Sequence, residues 1–276
     1  MTLHGQTTLY SNIVSDIRIA REAGYEALEL STPKLLRYLD AGLKPEELLT
    51  VFEEYSIKPA CIDILADVER IDKEGHRKVL EEAEYLCSIA CALGCPTIQL
   101  NAFNRLKGRP LKEIISLTAK NISEIADIGQ RSGIHFQFEG CAWTPIHSIS
   151  TYMQLIDKTD RDNVGVVIDI WHLWAGNETS PDQIAEIDRS LIYGVHIADG
   201  KKPRKGASWP AEQTLRDFMP GDGDIPLIEW VQAIKATGFD GFCAGEILGH
   251  TLWERDHREI AQDMRERMQR LISVEI

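Results

Sequence analysis

Short apolar runs punctuate this chain every few tens of residues, and between them apolar residues recur at every third or fourth position. Brief runs rich in Val, Ile and Phe predict strands, and the three-to-four spacing predicts amphipathic helices. Strands are expected at Gly5–Leu9, Ala27–Leu30, Pro59–Ile64, Thr97–Asn101, Ile134–Glu139, Val164–Asp169, Ile192–Ile197 and Gly241–Glu246. Helices are expected at Ser15–Ala23, Pro45–Tyr55, Gly75–Leu93, Leu111–Ser132, Ser148–Lys158, Pro181–Arg189, Leu227–Thr237 and Glu254–Leu271. Gly24, Gly94, Gly133 and Gly238 stand just past four of these helices, where glycine takes the left-handed terminal conformation without a steric penalty.

Strands that alternate with helices specify an α/β protein with a parallel sheet. Eight such units predict a closed (β/α)8 TIM barrel, and residues 1–276 are expected to form it as a single catalytic domain. A doubly wound open sheet usually carries a Gly-rich phosphate loop after its first strand. Here that position holds Tyr10-Ser-Asn-Ile13, which favours the barrel. The one long irregular stretch, Ala198–Ile225, follows the seventh strand and would overhang the catalytic face.

Composition narrows the function. Hydrophobic residues make up 43% of the chain, so a sizeable core is expected. A net charge of −13 opposes the clustered Lys and Arg on which nucleic-acid binding depends. No apolar run approaches membrane-spanning length, and Met1–Ile13 lacks the basic start and apolar stretch of a secretory signal. A cytoplasmic protein without nucleic-acid or membrane partners is therefore expected, and the exposed helices of a barrel permit a homodimer or homotetramer. Cys61, Cys87, Cys91, Cys95, Cys141 and Cys243 include no CxxC pair, so they are expected to be buried free thiols rather than a thiolate cluster.

Four polar residues stand at the ends of successive apolar runs: Glu139 in His-Phe-Gln-Phe-Glu, Asp169 in Val-Gly-Val-Val-Ile-Asp, His196 in Tyr-Gly-Val-His and Glu246 in Phe-Cys-Ala-Gly-Glu. Their intervals are 30, 27 and 50 residues, and one strand–helix unit takes about 30. Neighbouring parallel strands would thus bring three carboxylates and one imidazole to a single rim, where barrels place their active sites. Such a donor set suits one divalent ion, with manganese the first expectation and magnesium, cobalt or zinc the alternatives. His172, three residues past Asp169, is a candidate substrate contact. Trp143, Trp171 and Trp174 can wall a sugar or cyclitol ring, although packing between barrel and helices would explain them equally well. Arg216, ahead of Pro220-Gly-Asp-Gly-Asp224, can bind a substrate oxygen. The basic run Lys201-Lys-Pro-Arg-Lys205 is either an anion site or a solvated loop.

At these residues the chain resembles the xylose isomerase-like sugar isomerases and epimerases, nearest to their inosose (2-keto-myo-inositol) isomerase members. The likeness runs through Asp160–His172, Gly194–Asp199 and Pro220–Ile225, with shorter matches at Ile57-Lys-Pro59 and Asp72–His76. It implies that Glu139, Asp169, His196 and Glu246 are the metal ligands, that Glu139 and Glu246 also act as acid and base, and that His172 faces substrate. The implied activity is metal-dependent isomerisation or epimerisation of a keto-sugar or keto-cyclitol through proton abstraction and a cis-enediolate. A dehydratase using the same enolate, of the inosose or 3-dehydroshikimate type, is the alternative. Gly140-Cys-Ala-Trp143 and the Trp-rich loops, which face the substrate in this family, depart from the inosose isomerase pattern.

Overall fold

The computed structural model describes residues 1–204 and 208–274. Strands β1 (Thr2–His4), β2 (Ala27–Ser31), β3 (Lys58–Leu65), β4 (Thr97–Asn101), β5 (His135–Glu139), β6 (Val164–Asp169), β7 (Ile192–Ile197) and β8 (Phe242–Gly245) pair in sequence order, and β8 closes on β1. All eight pairings are parallel. Around them lie α1 (Ile13–Ala23), α2 (Thr32–Asp40), α3 (Pro45–Tyr55), α4 (Lys73–Leu93), α5 (Leu111–Gln130), α6 (Ile149–Thr159), α7 (Ile170–Ala175), α8 (Pro181–Ala185), α9 (Glu212–Leu215), α10 (Leu227–Ala236) and α11 (His257–Ile272). The expected (β/α)8 barrel is the observed one. Among the described residues, no helix is long and apolar enough to cross a membrane.

Alternation along the strands sorts side chains into two shells, because successive residues of a strand point to opposite faces. Leu28, Leu30, Ile98, Leu100, Phe136, Phe138, Val166 and Ile168 face outward and are sealed beneath the helices. The inward positions are unusually polar. His4 pairs in register with Glu29, Gln99 with Gln137, Asn101 with Glu139 and Asp169 with His196. Parallel barrels normally fill this space with branched apolar residues, so a polar interior marks where the chain gives up packing for chemistry.

Some expectations need correction. The first strand is Thr2–His4, not Gly5–Leu9, because the chain turns directly after His4, with the Thr7 amide donating to the His4 carbonyl at 3.1 Å. The apparent β-signal of the Thr7–Thr8 pair belongs to that loop. Helices α2 and α7 were not anticipated: each begins at the very end of a strand, so its first residues merge with the preceding apolar run. The helix expected at Pro181–Arg189 ends at Ala185 and is followed by a short 3-10 turn at Arg189–Leu191. The long stretch after β7 contains the short helix α9. Cys91 is exposed and Cys243 half-buried, while the other four cysteines are buried and all six are free.

A buried ion pair fixes the first catalytic-face loop. Lys34 of α2, 3% exposed, donates to the Gly5 carbonyl at 2.8 Å, the Thr8 carbonyl at 2.7 Å and Asp16 Oδ2 at 2.7 Å. Asp16 also accepts from the Thr8 hydroxyl at 2.6 Å and from the Ser11 hydroxyl. Burial pushes the Lys34 pKa down and the Asp16 pKa up, and each group partly offsets the effect on the other. Removing one partner of such a pair leaves a buried charge without compensation. Lys34→Met is therefore expected to lose about 3–5 kcal/mol in urea denaturation, and adding Asp16→Asn should recover part of it. A Lys34→Met midpoint equal to wild type would show that the pair contributes nothing.

Candidate metal centre

Glu139 ends β5, Asp169 ends β6, His196 lies one residue before the end of β7, and Glu246 directly follows β8. All four are buried at the C-terminal mouth of the barrel. One ligating atom from each lies within 4.8 Å of the corresponding atoms of the other three. His196 Nδ1 is the hub: Glu139 Oε1 stands at 3.1 Å, Glu246 Oε2 at 3.6 Å and Asp169 Oδ2 at 3.9 Å. Residues spread over more than a hundred positions of sequence thus converge because each stands at the C-terminal end of its own strand.

Neighbouring side chains hold these donors in place. His196 Nε2 lies 3.2 Å from Glu29 Oε2, so Glu29 orients the ring and turns Nδ1 toward the carboxylates. Asn101 and Gln99 donate to Glu139 Oε2 at 3.0 and 3.2 Å. Gln99 also reaches Asp63 Oδ1 at 2.9 Å, and Gln137 links Gln99 to Glu29 across the barrel. The Asp169 carboxylate caps α7 by accepting the His172 amide at 2.7 Å. The sequence analysis missed His4, Glu29, Asp63, Gln99 and Asn101. The available signal was a polar residue at alternate positions within otherwise apolar strands.

Arg216 is fully buried and joins the two halves of the site. Its Nη2 donates to Asp169 Oδ2 at 2.9 Å and to Glu246 Oε2 at 2.6 Å, and its Nη1 donates to Glu212 Oε1 at 2.6 Å. The guanidinium lies over Trp171, 5.1 Å from the ring centre, and Nη1 lies 3.2 Å from His172 Nε2. His172 Nδ1 accepts the Ala142 amide at 3.2 Å. Trp143 packs edge-on to His172 with ring centres 5.3 Å apart. Trp171 is entirely buried, and its place under Arg216 makes it a support for that side chain. Trp174 sits farther out, beneath the Lys202 ammonium at 4.4 Å. Trp209, which the sequence analysis did not single out, completes the aromatic group at 6.0 Å from Trp143. Lys205, the end of the basic run, lies outside the described residues.

The loop that carries Arg216 is tied down at both ends. Asp199 Oδ2 accepts the Gly221 and Gly223 amides at 2.8 and 3.1 Å, and its Oδ1 accepts the Gly200 and Ile225 amides at 2.7 and 3.3 Å. A Cβ on Gly223 would meet Asp199 Oδ1 at 2.2 Å, so only glycine fits there. Arg216 also forms a backbone bridge to Leu248, and Asp217 accepts the Thr251 and Leu252 amides at 2.9 and 3.0 Å.

The charge distribution fits a cation. Five carboxylates crowd this mouth, those of Glu29, Asp63, Glu139, Asp169 and Glu246. Burial, reinforced by Glu246 and Glu29, holds the Asp63 pKa well above the usual carboxylate range. Burial also raises Glu246, but Arg216, His4 and His196 outweigh it and hold that carboxyl well below its ordinary value. For His196, burial lowers the pKa, yet Glu29, Glu139 and Glu246 together drive it well above normal. His4 Nε2 and Asn101 Oδ1 are buried without a hydrogen-bond partner, although three carboxylate oxygens stand 3.8–3.9 Å from His4 Nε2. Excess buried negative charge, unpaired polar atoms and a mixed carboxylate–imidazole donor set together suit a divalent ion.

Residues 17–271 match the xylose isomerase-like TIM barrel family. The chain belongs to that family. Within it, inosose isomerase of Bacillus velezensis is 23% identical over 267 residues, covering 95% of this chain and 93% of that protein. Inosose isomerase of Halalkalibacterium halodurans is 25% identical over 242 residues, covering 86% of this chain and 83% of that protein. A crystal structure of an IolI protein with a bound zinc atom superposes with a TM-score of 0.91 at 22% identity, covering 99% of this chain and 97% of that one. That likeness shows that this xylose isomerase-like barrel shares its fold.

Two measurements test the centre. Glu29→Ala is expected to weaken divalent-ion binding about 10- to 100-fold, the usual cost of losing the group that orients a ligating imidazole; unchanged affinity would detach Glu29 from the site. A ligating nitrogen must be free of its proton, and the carboxylates around His196 raise its pKa, so affinity should fall as pH falls. Titration of the protein with manganese over a pH series checks this. Affinity independent of pH would remove His196 from the ligand set.

Proposed function

We propose that this protein is a divalent-metal-dependent enzyme that isomerises or epimerises a keto-sugar or keto-cyclitol, with an inosose as the first substrate to test. The carrying observation is the pair Glu139 and Glu246, held on different sides of the barrel mouth and both facing His196 Nδ1, at 3.1 and 3.6 Å. Moving a proton between adjacent carbons, or between the two faces of one carbon, needs two such groups bracketing one substrate position. Glu139, Asp169, His196 and Glu246 would hold the ion, which when bound polarises a carbonyl and acidifies the neighbouring C–H. The mixed donor set accommodates manganese, cobalt or zinc, and magnesium less readily because of the imidazole.

The protein's own groups then divide the work. Arg216 keeps Glu246 ionised and fixes its Oε2, leaving Oε1 free of that bond to accept a proton from substrate carbon. Asn101 and Gln99 fix Glu139 Oε2, so its Oε1 faces the centre as the second proton carrier. The Arg216 guanidinium places positive charge beside the position where negative charge gathers on substrate oxygens during proton transfer. Trp143 packs edge-on to His172 and holds its ring in place. The aromatic wall suits the C–H face of a sugar or cyclitol ring.

The test is incubation of metal-loaded protein with 2-keto-myo-inositol in D2O, followed by NMR. Isomerisation or epimerisation incorporates deuterium beside the carbonyl, whereas elimination would give a conjugated, ultraviolet-absorbing dione and reassign the enzyme as a dehydratase. Glu246→Gln should reduce turnover at least about a hundredfold while the protein stays folded. Native turnover in that variant would remove Glu246 from proton transfer.

A further inference from the structure

Lys202 and Arg204, after β7, border a groove that the proposed proton chemistry does not use. Trp143, His147, Asn177, Lys202, Arg204 and Trp209 line an opening of about 830 Å³ formed by the loops after β5, β6 and β7. Its size falls within the usual range of small-molecule pockets, about 300–1,000 Å³. The groove adjoins the candidate centre directly. Ala142, in its wall, donates its amide to His172 Nδ1 at 3.2 Å, and the Trp143 ring stands 5.3 Å from the His172 ring. The groove thus lies on the outer side of His172 from the four donors.

The charge here runs against the rest of the molecule. The chain carries a net −13, yet Lys202, Arg204 and the His147 imidazole all border this one concavity. Lys202 is held in direction by the Trp174 ring beneath it, 4.4 Å away, and by its contact with Asn177 Oδ1. His147 is fixed through Nδ1, 2.7 Å from the Thr144 carbonyl, while Glu178 reaches within 3.6 Å of its Nε2 from an exposed position. An ammonium and a guanidinium, flanked by indoles that limit solvent on one side, bind an oxyanion through charge-assisted hydrogen bonds.

We propose that this groove is an anion subsite, taking a phosphate ester or carboxylate that the substrate carries at a position remote from its keto carbon. The proposal rests on the isomerase reading for the word substrate, but the anion site itself is testable apart from turnover. Titration of the full-length, metal-loaded protein with inorganic phosphate, and separately with acetate, is followed by tryptophan fluorescence, because Trp143 and Trp209 line the groove. Wild type should give a saturable change with at least one anion, and Lys202→Gln/Arg204→Gln should bind that anion about tenfold more weakly with unaltered metal stoichiometry and circular dichroism. A response to phosphate and none to acetate assigns a phosphate ester, and a response to acetate at least as strong assigns a carboxylate. Anion captured by a metal ion would persist in the double variant, so the difference between the two proteins reports the groove alone. No saturable change with either anion, or equal binding by both proteins, overturns the subsite. Absence of turnover on every ketose, with the titration as expected, would overturn only the isomerase reading.

Discussion

The structure is organised around an electrostatic imbalance: buried carboxylates outnumber buried cations at the barrel mouth. Isolated carboxylates cannot be held charged in a dry interior, so each must be paired, protonated or given a cation. Each leaves a trace in the structure. Arg216 pairs with Asp169, Glu212 and Glu246, burial raises the Asp63 pKa, and Glu139, Asp169 and Glu246 gather around the one imidazole nitrogen of His196. The polar layer below, with Gln137 and Gln99 linking Glu29 and Asp63, carries this arrangement into the centre of the barrel. The cost is a barrel interior that cannot be packed with branched apolar side chains. Stability must come from the outer shell, where Phe136, Phe138, Leu28 and Ile168 are sealed under helices.

The strand ends were the legible part of the chain. Val164–Asp169, Thr97–Asn101 and Ile192–Ile197 were recognisable to the residue, because both faces of a parallel strand are buried and turn residues bound it. The four residues at the centre followed from the same boundaries, since the end of a parallel strand is also a place on the catalytic rim. The first strand was misplaced because three residues, Thr2–His4, are too few to show a period, and the threonines after them have strand-like chemistry. His4, Glu29 and Asp63 stayed hidden for another reason. A single polar residue in an apolar run carries no mark of what lies across the barrel, and the 3.2 Å contact between Glu29 and His196 spans 167 residues. Arg216 was visible only as a charge near a turn; its burial depends on loops that meet through the Leu248 bridge.

Family membership and site geometry bear on different questions. The match across residues 17–271 fixes the architecture and the branch of proteins to which the chain belongs. At identities of 23 and 25%, the inosose isomerases leave room for a different substrate on the same framework. The groove after β5, β6 and β7 is where such a difference would be written, because it lies outside the four-donor centre and is lined by loop residues, Trp143 among them.

The knot around Asp199 divides the long arm after β7 into two regimes. Four amides enclose that carboxylate, and Gly223 has no room for a side chain, so the base of the arm cannot change length or composition without moving Arg216 and, with it, oxygens of Asp169 and Glu246. Farther out on the arm, Lys202 is bound instead to Asn177 and stacked on Trp174, away from the four donors. Mutation can therefore explore new specificities along that outer segment while the catalytic framework stays anchored, which is one physical route by which a single barrel diversifies without first being disabled.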